Sequence, residues 1–404
     1  MNVYFHTFGC RANQYDTDRV RQAFADQGAT EVADPTAADL AVINSCTVTH
    51  GSEAKLRQLV RRVARAGQTE TLVMGCAAAL DGGAIAALPG VRAVVANADP
   101  ARVLRAAGLG THLPGQPRAF AQRSRGLLKI QDGCDEHCTF CATTLARGAN
   151  RSRPVAELVV EAQALAERHA EIVLTGVHIG TYGEDVRRAA CGATLGELLD
   201  ALISAVPSVR FRLSSIEATE VDDTLARLLI EAPRQLAAHL HAPLQSGSNP
   251  ILKRMGRHWY TAETYRARLE RLAERLPVFG LGADVIAGFP GESAHDHHAS
   301  VTLLHALPFT YLHVFPFSVR PDAAAARLDG QLSSGVIHER SAELRALGDA
   351  KAAAYRARRR GQRADGVVSG RQAGKIEILT EDYLSVYLGS SDWDGRSRLE
   401  VVID

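Results

Sequence analysis

Three cysteines stand close together in the run Cys134-Asp135-Glu136-His137-Cys138-Thr139-Phe140-Cys141. The spacing is C-x3-C-x2-C, with no fourth cysteine nearby. Soft sulfur donors select iron–sulfur clusters, zinc or copper(I). A structural zinc site asks for four ligands, and His137 offers a fourth. Three thiolates alone suit a four-iron, four-sulfur (4Fe-4S) cluster with one iron left open. Three further cysteines, Cys10, Cys46 and Cys76, are far apart in the chain. Each directly follows an apolar run.

The surrounding elements decide whether those three can act together. Residues 1–112 alternate strand and helix. Strands are expected over Asn2–Gly9, Leu40–Ser45, Thr71–Gly75 and Val91–Asn97, with helices over Asp16–Gln27 and Glu53–Ala66. Alternation of this kind implies an α/β domain with a doubly wound parallel sheet. The carboxyl ends of parallel strands line one edge, where ligands bind. Cys10, Cys46 and Cys76 should therefore converge there, on a second cluster with an open iron. The alternative is three buried structural cysteines.

Leu113–Ser124 contains Pro114, Gly115 and Pro117 and reads as a linker. From 125 to about 318, strand–helix units repeat. Strands are expected at Leu127–Gln131, Glu171–Gly176, Val209–Ser215, His239–Leu244, Gly280–Ala287 and Thr310–Phe317. Helices are expected at Val155–His169, Leu195–Val206, Asp222–Ala232, Ala262–Leu276 and Ala294–Ala306. Six such units with right-handed crossovers curl into a partial (βα)6 barrel whose active residues lie at strand C-termini. The triple-cysteine loop follows the first strand, as that rule asks. His239 and His241 should share one side of their strand. Gly280-Leu281-Gly282 begins like a dinucleotide fingerprint, but Val285 stands where a third glycine is needed. His295, His297 and His298 read as a solvated helix start. Gly330 to Arg363 reads as a helix, basic near its end, and from Gly366 short strands imply a small β-barrel.

Composition narrows the classes. The chain has 404 residues, enough for about two or three domains. Its formal charge of +1 advertises no global nucleic-acid field, so any RNA footprint must be local. The candidate stripes are Arg57, Arg61, Arg62 and Arg65; Arg147, Arg151 and Arg153; and Arg356, Arg358, Arg359, Arg360 and Arg363. The start lacks a signal peptide's basic and apolar regions, and no run of about 18 apolar residues predicts a membrane span. Seven cysteines are an odd count for a disulfide framework. Cys191 is left over as a free thiol, and a cytoplasmic location is expected.

The cysteine loop, with an aromatic before its last cysteine, resembles the radical S-adenosylmethionine (SAM) signature. That resemblance implies an open iron that chelates the amino and carboxylate groups of SAM. It implies reductive release of a 5′-deoxyadenosyl radical, with Phe140 near the adenine. Three stretches together resemble the radical-SAM methylthiotransferase family. They are Thr7-Phe8-Gly9-Cys10-Arg11-Ala12-Asn13-Gln14, Asn44-Ser45-Cys46-Thr47-Val48-Thr49, and the cysteine loop with Ala146-Arg147-Gly148 after it. The match covers essentially the whole chain. It implies an N-terminal cluster domain (1–112), a radical-SAM barrel (125–340), a basic linker helix (341–363) and a C-terminal TRAM-like β-barrel (364–404).

Thr175–Tyr182 resembles the branch acting on N6-threonylcarbamoyladenosine in tRNA, beside the anticodon. The product implied carries a methylthio group at adenine C2, a C–H that no ordinary base activates. The implied cofactors are SAM and two 4Fe-4S clusters. One sits on Cys134, Cys138 and Cys141, and the auxiliary one on Cys10, Cys46 and Cys76. Thr175, Gly176, Ser215 and Glu217 are the SAM candidates. Arg147, Arg153, Arg356, Arg358, Arg359 and Arg360 are the RNA candidates. The implied partners are a tRNA anticodon loop and an electron donor such as a flavodoxin or ferredoxin, with the sulfur source left open. Competing readings are methylthiolation of isopentenyladenosine or of a ribosomal-protein aspartate, an auxiliary cluster that only relays electrons, and a zinc-bound RNA-binding module.

Two departures from the family stand out. After Cys141 the chain reads Ala-Thr-Thr-Leu where bulkier apolar residues and a proline are usual. From Ala364 to Asp404 four Lys/Arg face eight Asp/Glu. An acidic barrel binds phosphates poorly, which shifts the expected tRNA contact to the Arg356–Arg363 stretch.

Overall fold

Strand burial sets the architecture of the N-terminal region. All of Leu40–Ser45 is buried, and all of Glu70–Gly75 except Glu70. Strands buried on both faces belong to a sheet with helices on each side. The computed structural model describes residues 1–47, 50–110, 124–187, 192–372, 374–393 and 395–404. Cys191, Val48, Thr49 and positions 113–123 of the expected linker lie outside the described residues.

The early strands are β1 (Asn2–Thr7), β2 (Thr30–Glu31), β3 (Leu40–Ser45), β4 (Glu70–Gly75) and β5 (Val91–Ala96). Then come β6 (Gly126–Lys129), β7 (Gln131–Asp132), β8 (Arg151–Ser152), β9 (Glu171–Thr175) and β10 (Arg210–Leu213). They are followed by β11 (His239–His241), β12 (Gly280–Ala287) and β13 (Tyr311–Pro316). The last four are β14 (Arg363–Gln372), β15 (Lys375–Thr380), β16 (Ser385–Gly389) and β17 (Arg398–Val402). The described residues divide into two compact units. The first takes those of Met1–Phe120 with Gln131–Glu136 and Cys141–Arg151; the second takes those of Ala121–Ile130, His137–Phe140 and Ser152–Asp404.

In the first unit the strands run in the order β2-β1-β3-β4-β5, with parallel pairing throughout. Leu40, Val42, Leu72 and Met74 pack on one face with Val20 and Phe24 of α1 (Arg11–Asp26) and, further along the chain, Val103 and Leu104. Ile43 and Val73 pack on the other face with Leu56 and Val60 of α2 (His50–Ala66), and with Ala77 of α3 (Cys76–Leu80). Each fully buried apolar side chain contributes about 1.5–3 kcal/mol. The doubly wound parallel sheet matches the expectation. Its strand order reverses between β1 and β3, and such a switch point opens a crevice at the carboxyl edge. Helix α1 begins at Arg11, five residues before the expected Asp16. The missed turn carries Asn13, a buried polar residue, so no apolar period marks it.

In the second unit β6, β9 and β10 form one parallel sheet, and β11, β12 and β13 another. Isolated parallel bridges Phe211↔Leu236 and Ser215↔His241 link the two. Side-chain caps fix where the intervening helices begin. Thr194, Thr261 and Ser293 each cap a helix through a reciprocal box, and Asp222 caps a fourth by accepting from the Leu225 amide. Such caps contribute about 1 kcal/mol each. The pair Gly280 and Gly282 has a packing role. A Cβ at Gly280 would collide with the Asp382 carbonyl, and one at Gly282 with the Tyr311 ring.

The helix Ser334–Arg359 leads into an antiparallel sheet of order β16-β15-β14-β17. Among the described residues this is a four-stranded sheet with β16 and β17 at opposite ends. Of the small β-barrel expected from the strand spacing, the described residues show this antiparallel sheet. Two buried arginines of β10 hold the sheet. Arg210 donates to the carbonyls of Asp365 (2.5 Å) and Leu379 (3.1 Å), and Arg212 to that of Thr380 (2.7 Å). Glu171 accepts from Arg210 at 2.7 Å and from Arg212 at 3.0 Å, and all three side chains are fully buried. Among the described residues no helix is long and apolar enough to cross a membrane.

Burial pushes the Glu171 carboxyl up, but the Arg212 and Arg210 guanidiniums outweigh it and hold the group far below the usual carboxylate range. A depressed folded-state value means that this stabilisation is complete above the ordinary carboxylate pKa and fades as pH falls below it. Glu171→Gln leaves two buried guanidiniums under-neutralised. It should destabilise the chain by about 3–5 kcal/mol at neutral pH, with the deficit shrinking in acid. Urea unfolding at pH 7 and pH 3.5 checks this, and an equal deficit at both would refute the assignment.

Candidate active site

The carboxyl edge of the first sheet gathers the three separated cysteines. Cys10 is the N-cap residue of α1, Cys46 directly follows β3, and Cys76 opens α3. Gly9 has φ +100°, and a Cβ there would lie 2.7 Å from the Cys46 sulfur. Only glycine allows both that backbone and that approach. Asn13 ties the loops together. Its Nδ2 donates to the carbonyls of Phe8 (2.9 Å) and Ser45 (3.0 Å), and its Oδ1 lies 3.8 Å from the Cys76 sulfur. At Gly75 (φ +94°) a Cβ would collide with the Asn44 side chain. All three thus lie at one sheet edge: Cys10 and Cys46 follow β1 and β3 at the switch point, and Cys76 follows the neighbouring β4.

Arg147, at the end of α4 (Thr143–Arg147), belongs to this first unit. Its Nε donates to the Cys76 sulfur at 3.3 Å, Nη1 to Asp132 at 2.8 Å, and Nη2 to Asp16 at 2.9 Å and to Asn13 Oδ1. The residue is 9% exposed. Burial pushes the Cys76 thiol up, and the Arg147 cation opposes that push. The expectation that Arg147 meets tRNA phosphates is therefore corrected. The sequence showed a basic cluster, but one member is ion-paired inside the protein.

The cysteine loop contributes to both units. In the first, the Cys134 amide donates to the Gly148 carbonyl at 3.0 Å. The Glu136 amide points at the Cys134 sulfur (3.4 Å) and the Thr143 amide at the Cys141 sulfur (3.3 Å). In the second, Thr139 is bracketed by the Met255 carbonyl (2.9 Å) and the Ala325 amide (2.7 Å). Gly256 (φ +78°) lets the backbone approach the His137 carbonyl. Phe140 is half-buried against a cluster of Ile251, Met255 and Phe289.

Arg257 Nη1 lies 3.4 Å from the Cys138 sulfur. Its Nη2 pairs with Glu217, and its Nε donates to the Tyr260 hydroxyl at 2.9 Å. The guanidinium sits 4.8 Å from the Trp259 ring centroid, and the Trp259 Nε1 donates to Glu217. Arg257, Trp259 and Tyr260 escaped the sequence reading. The available signal was one of only two tryptophans in the chain, beside an arginine, just after a helix. Thr175 ends β9 and is buried, Gly176 is half-buried, Ser215 is exposed, and Glu217 is buried with both oxygens engaged as described.

The remaining candidates divide. Arg153 donates to Glu161 (2.7 Å) and to the Lys129 carbonyl (2.9 Å). Arg356 reaches the Ser385 carbonyl and the Asp404 carboxylate. Arg359, 3% exposed, pairs with Asp382 at 2.8 Å. Its expected RNA role is corrected, because its charge clamps the C-terminal sheet to the helix. Arg358 and Arg360 are exposed. Arg57 pairs with Asp81, while Arg61, Arg62 and Arg65 are exposed. His297, expected in solvent, is buried and pairs with Glu343 at 2.7 Å; His295 and His298 are exposed.

The donor chemistry fits iron–sulfur clusters. Cys76, Cys134, Cys138 and Cys141 each have an N–H aimed at sulfur, the hydrogen bonding that stabilises cluster thiolates and sets their potential.

Comparison with known proteins follows the same division. Residues 2–96 match the uncharacterized protein family UPF0004, and residues 128–304 match the radical SAM superfamily. The threonylcarbamoyladenosine tRNA methylthiotransferase MtaB of Bacillus subtilis is 38% identical over 372 residues, covering 87% of this chain and 81% of that protein. The MtaB of Aquifex aeolicus is 33% identical over 407 residues, covering 96% of each. Among solved structures, the radical S-adenosylmethionine methyltransferase TsrM from Kitasatospora setae gives a TM-score of 0.60 at 15% identity, covering 80% of this chain and 75% of that one. At that identity the likeness is one of fold.

Arg147→Ala removes the cation that balances Asp16 and Asp132. It should destabilise the chain by about 3 kcal/mol, whereas Arg61→Ala on the exposed stripe should change stability by no more than about 0.5 kcal/mol. Urea unfolding of the two variants compares them; equal effects would contradict the structural role of Arg147.

Proposed function

This chain belongs to the radical-SAM tRNA methylthiotransferase family, and we propose that it transfers a methylthio group to C2 of N6-threonylcarbamoyladenosine beside the anticodon. Superfamily membership implies one 4Fe-4S cluster and SAM. We assign that cluster to Cys134, Cys138 and Cys141, and a second to Cys10, Cys46 and Cys76. The observation that carries the reading is the arrival of three distant cysteines at one sheet edge, in a chain that also holds the triple-cysteine loop. A second cluster there would supply the sulfur, and the relay reading, in which it only passes electrons, predicts no thiolated product.

Bound together, SAM and the clusters would supply a radical for the unactivated C–H, a methyl group and sulfur, chemistry that belongs to the cofactors. The chain's own residues hold and tune. Asn13 and Arg147 fix the loops bearing Cys10, Cys46 and Cys76. Arg257, backed by Glu217, places a cation and an N–H against the Cys138 sulfur. Thr175, Gly176 and Ser215 remain the proposed SAM contacts, at the ends of β9 and β10. The target base must leave its stack to be reached, as base-modifying enzymes require. The substrate assignment rests on the MtaB relatives and on Thr175–Tyr182. A reductant such as a flavodoxin or ferredoxin is part of the proposal, as is a cytoplasmic setting.

The test uses reconstituted full-length enzyme, threonylcarbamoyl-bearing tRNA, dithionite and SAM, with mass spectrometry of nucleosides. The wild type should yield 5′-deoxyadenosine and the 2-methylthio nucleoside. Cys46→Ala should keep the first product and lose the second, and Cys138→Ala should lose both. Methylthiolation by Cys46→Ala, or wild-type methylthiolation of isopentenyladenosine tRNA in preference, would overturn the reading.

With Arg147 and Arg359 committed internally, the exposed Arg358 and Arg360 are the phosphate contacts we assign to the linker helix and its end. The double variant Arg358→Glu/Arg360→Glu should weaken tRNA binding and flatten its salt dependence by about 0.7–0.9 per lost contact. An unchanged slope would remove these two residues from the interface.

A further inference from the structure

Strands β11, β12 and β13 carry a side-chain cluster for which the proposed reaction has no role. The register pairs His241 with Gly282, Gly282 with Tyr311, and Asp284 with His313. Three adjacent strands of one sheet thus deliver His241, Asp284 and His313 to one place. His241 Nε2 lies 2.8 Å from Asp284 Oδ1, and His313 Nδ1 lies 3.2 Å from the same oxygen. The three donor atoms lie within 4.8 Å of one another.

The surroundings orient these donors. Gly282 has no side chain, and the Tyr311 ring occupies the space that one would need. The Tyr311 hydroxyl then sits 2.8 Å from His239 Nε2 and 3.0 Å from His241 Nδ1. With its Nδ1 held in this way, the His241 ring directs Nε2 at Asp284. Metal-bound histidines almost always engage their second nitrogen with such an outer partner, which fixes tautomer and orientation. Behind it the His239 ring stacks on Tyr383 at 4.3 Å between centroids. Burial is graded: His241 is buried, Asp284 half-buried, and the His313 side chain 54% exposed. The cluster therefore has one side open.

We propose that His241, Asp284 and His313 bind a divalent transition-metal ion of borderline softness, such as zinc or ferrous iron, with Tyr311 and His239 as outer supports. Two imidazoles and one carboxylate are a donor set that such ions accept. Bonds of about 2.0–2.2 Å in tetrahedral array place donors about 3.3–3.6 Å apart. The two separations from Asp284, 2.8 and 3.2 Å, fall somewhat short of that, so those donors would move apart by about half an ångström on binding. Three protein donors leave a position open, on the exposed His313 side, for water or another oxygen ligand. The site shares no residue with the six cysteines assigned to clusters.

The test uses untagged, cluster-loaded full-length protein, treated with a chelating resin and then dialysed anaerobically against zinc chloride. Zinc and iron per chain are read by mass spectrometry. The wild type should take up about one zinc with its iron unchanged. Asp284→Asn and His313→Ala should each weaken uptake more than tenfold, and Tyr311→Phe by about tenfold. His313 is largely exposed, so its variant tests the donor without disturbing the core. Absence of saturable zinc uptake by the wild type would overturn the proposal. So would equal uptake by His313→Ala with iron retained.

Discussion

Arg147 places a full positive charge in a buried position among Asp16, Asp132, Asn13 and the sulfur of Cys76. Such burial costs several kcal/mol unless every donor is met. The first unit meets that demand with residues from α1, α3 and the segment around the cysteine loop. The constraint runs outward from there. Asn13 must sit in the first turn of α1, so that turn is polar and buried. Gly9 and Gly75 must be glycine, because Cys46 and Asn44 occupy the space beside them. The three cysteines reach one edge because a parallel sheet delivers its loops there and reverses strand order between β1 and β3.

The second unit uses the same physics for another end. Glu171 with Arg210 and Arg212 forms a fully buried charged group whose remaining N–H donors reach carbonyls of the C-terminal sheet. Arg359 does the same from the linker helix through Asp382. Much of the arginine that a charge count assigns to RNA is therefore internal structure. The exposed set is smaller than the sequence suggests.

Legibility in the sequence followed periodicity. Leu40–Ser45 and Gly280–Ala287 match their expected bounds because apolar runs mark them, and the helix Ala294–Ala306 does so because the Ser293 cap fixes its start. The first turn of α1 was missed because its buried residues are polar. Cysteine placement was legible, since strand ends can be read from hydrophobic runs. Arg147 and Arg359 were misassigned because charge shows in a sequence while its partner, distant along the chain, does not. The partners of Arg257 and Trp259 were hidden for the same reason: Cys138 and Glu217 are 119 and 42 residues from them. The pairing of Gly282 with Tyr311 needed strand register, which spacing alone does not supply.

The central claim is that one chain carries two inorganic centres, each on three cysteines. Iron and acid-labile sulfide per chain, measured after anaerobic reconstitution, address it most directly. The wild type should hold about eight of each, and the triple variant Cys10→Ala/Cys46→Ala/Cys76→Ala about four. A triple variant that holds as much iron and sulfide as the wild type would contradict the account.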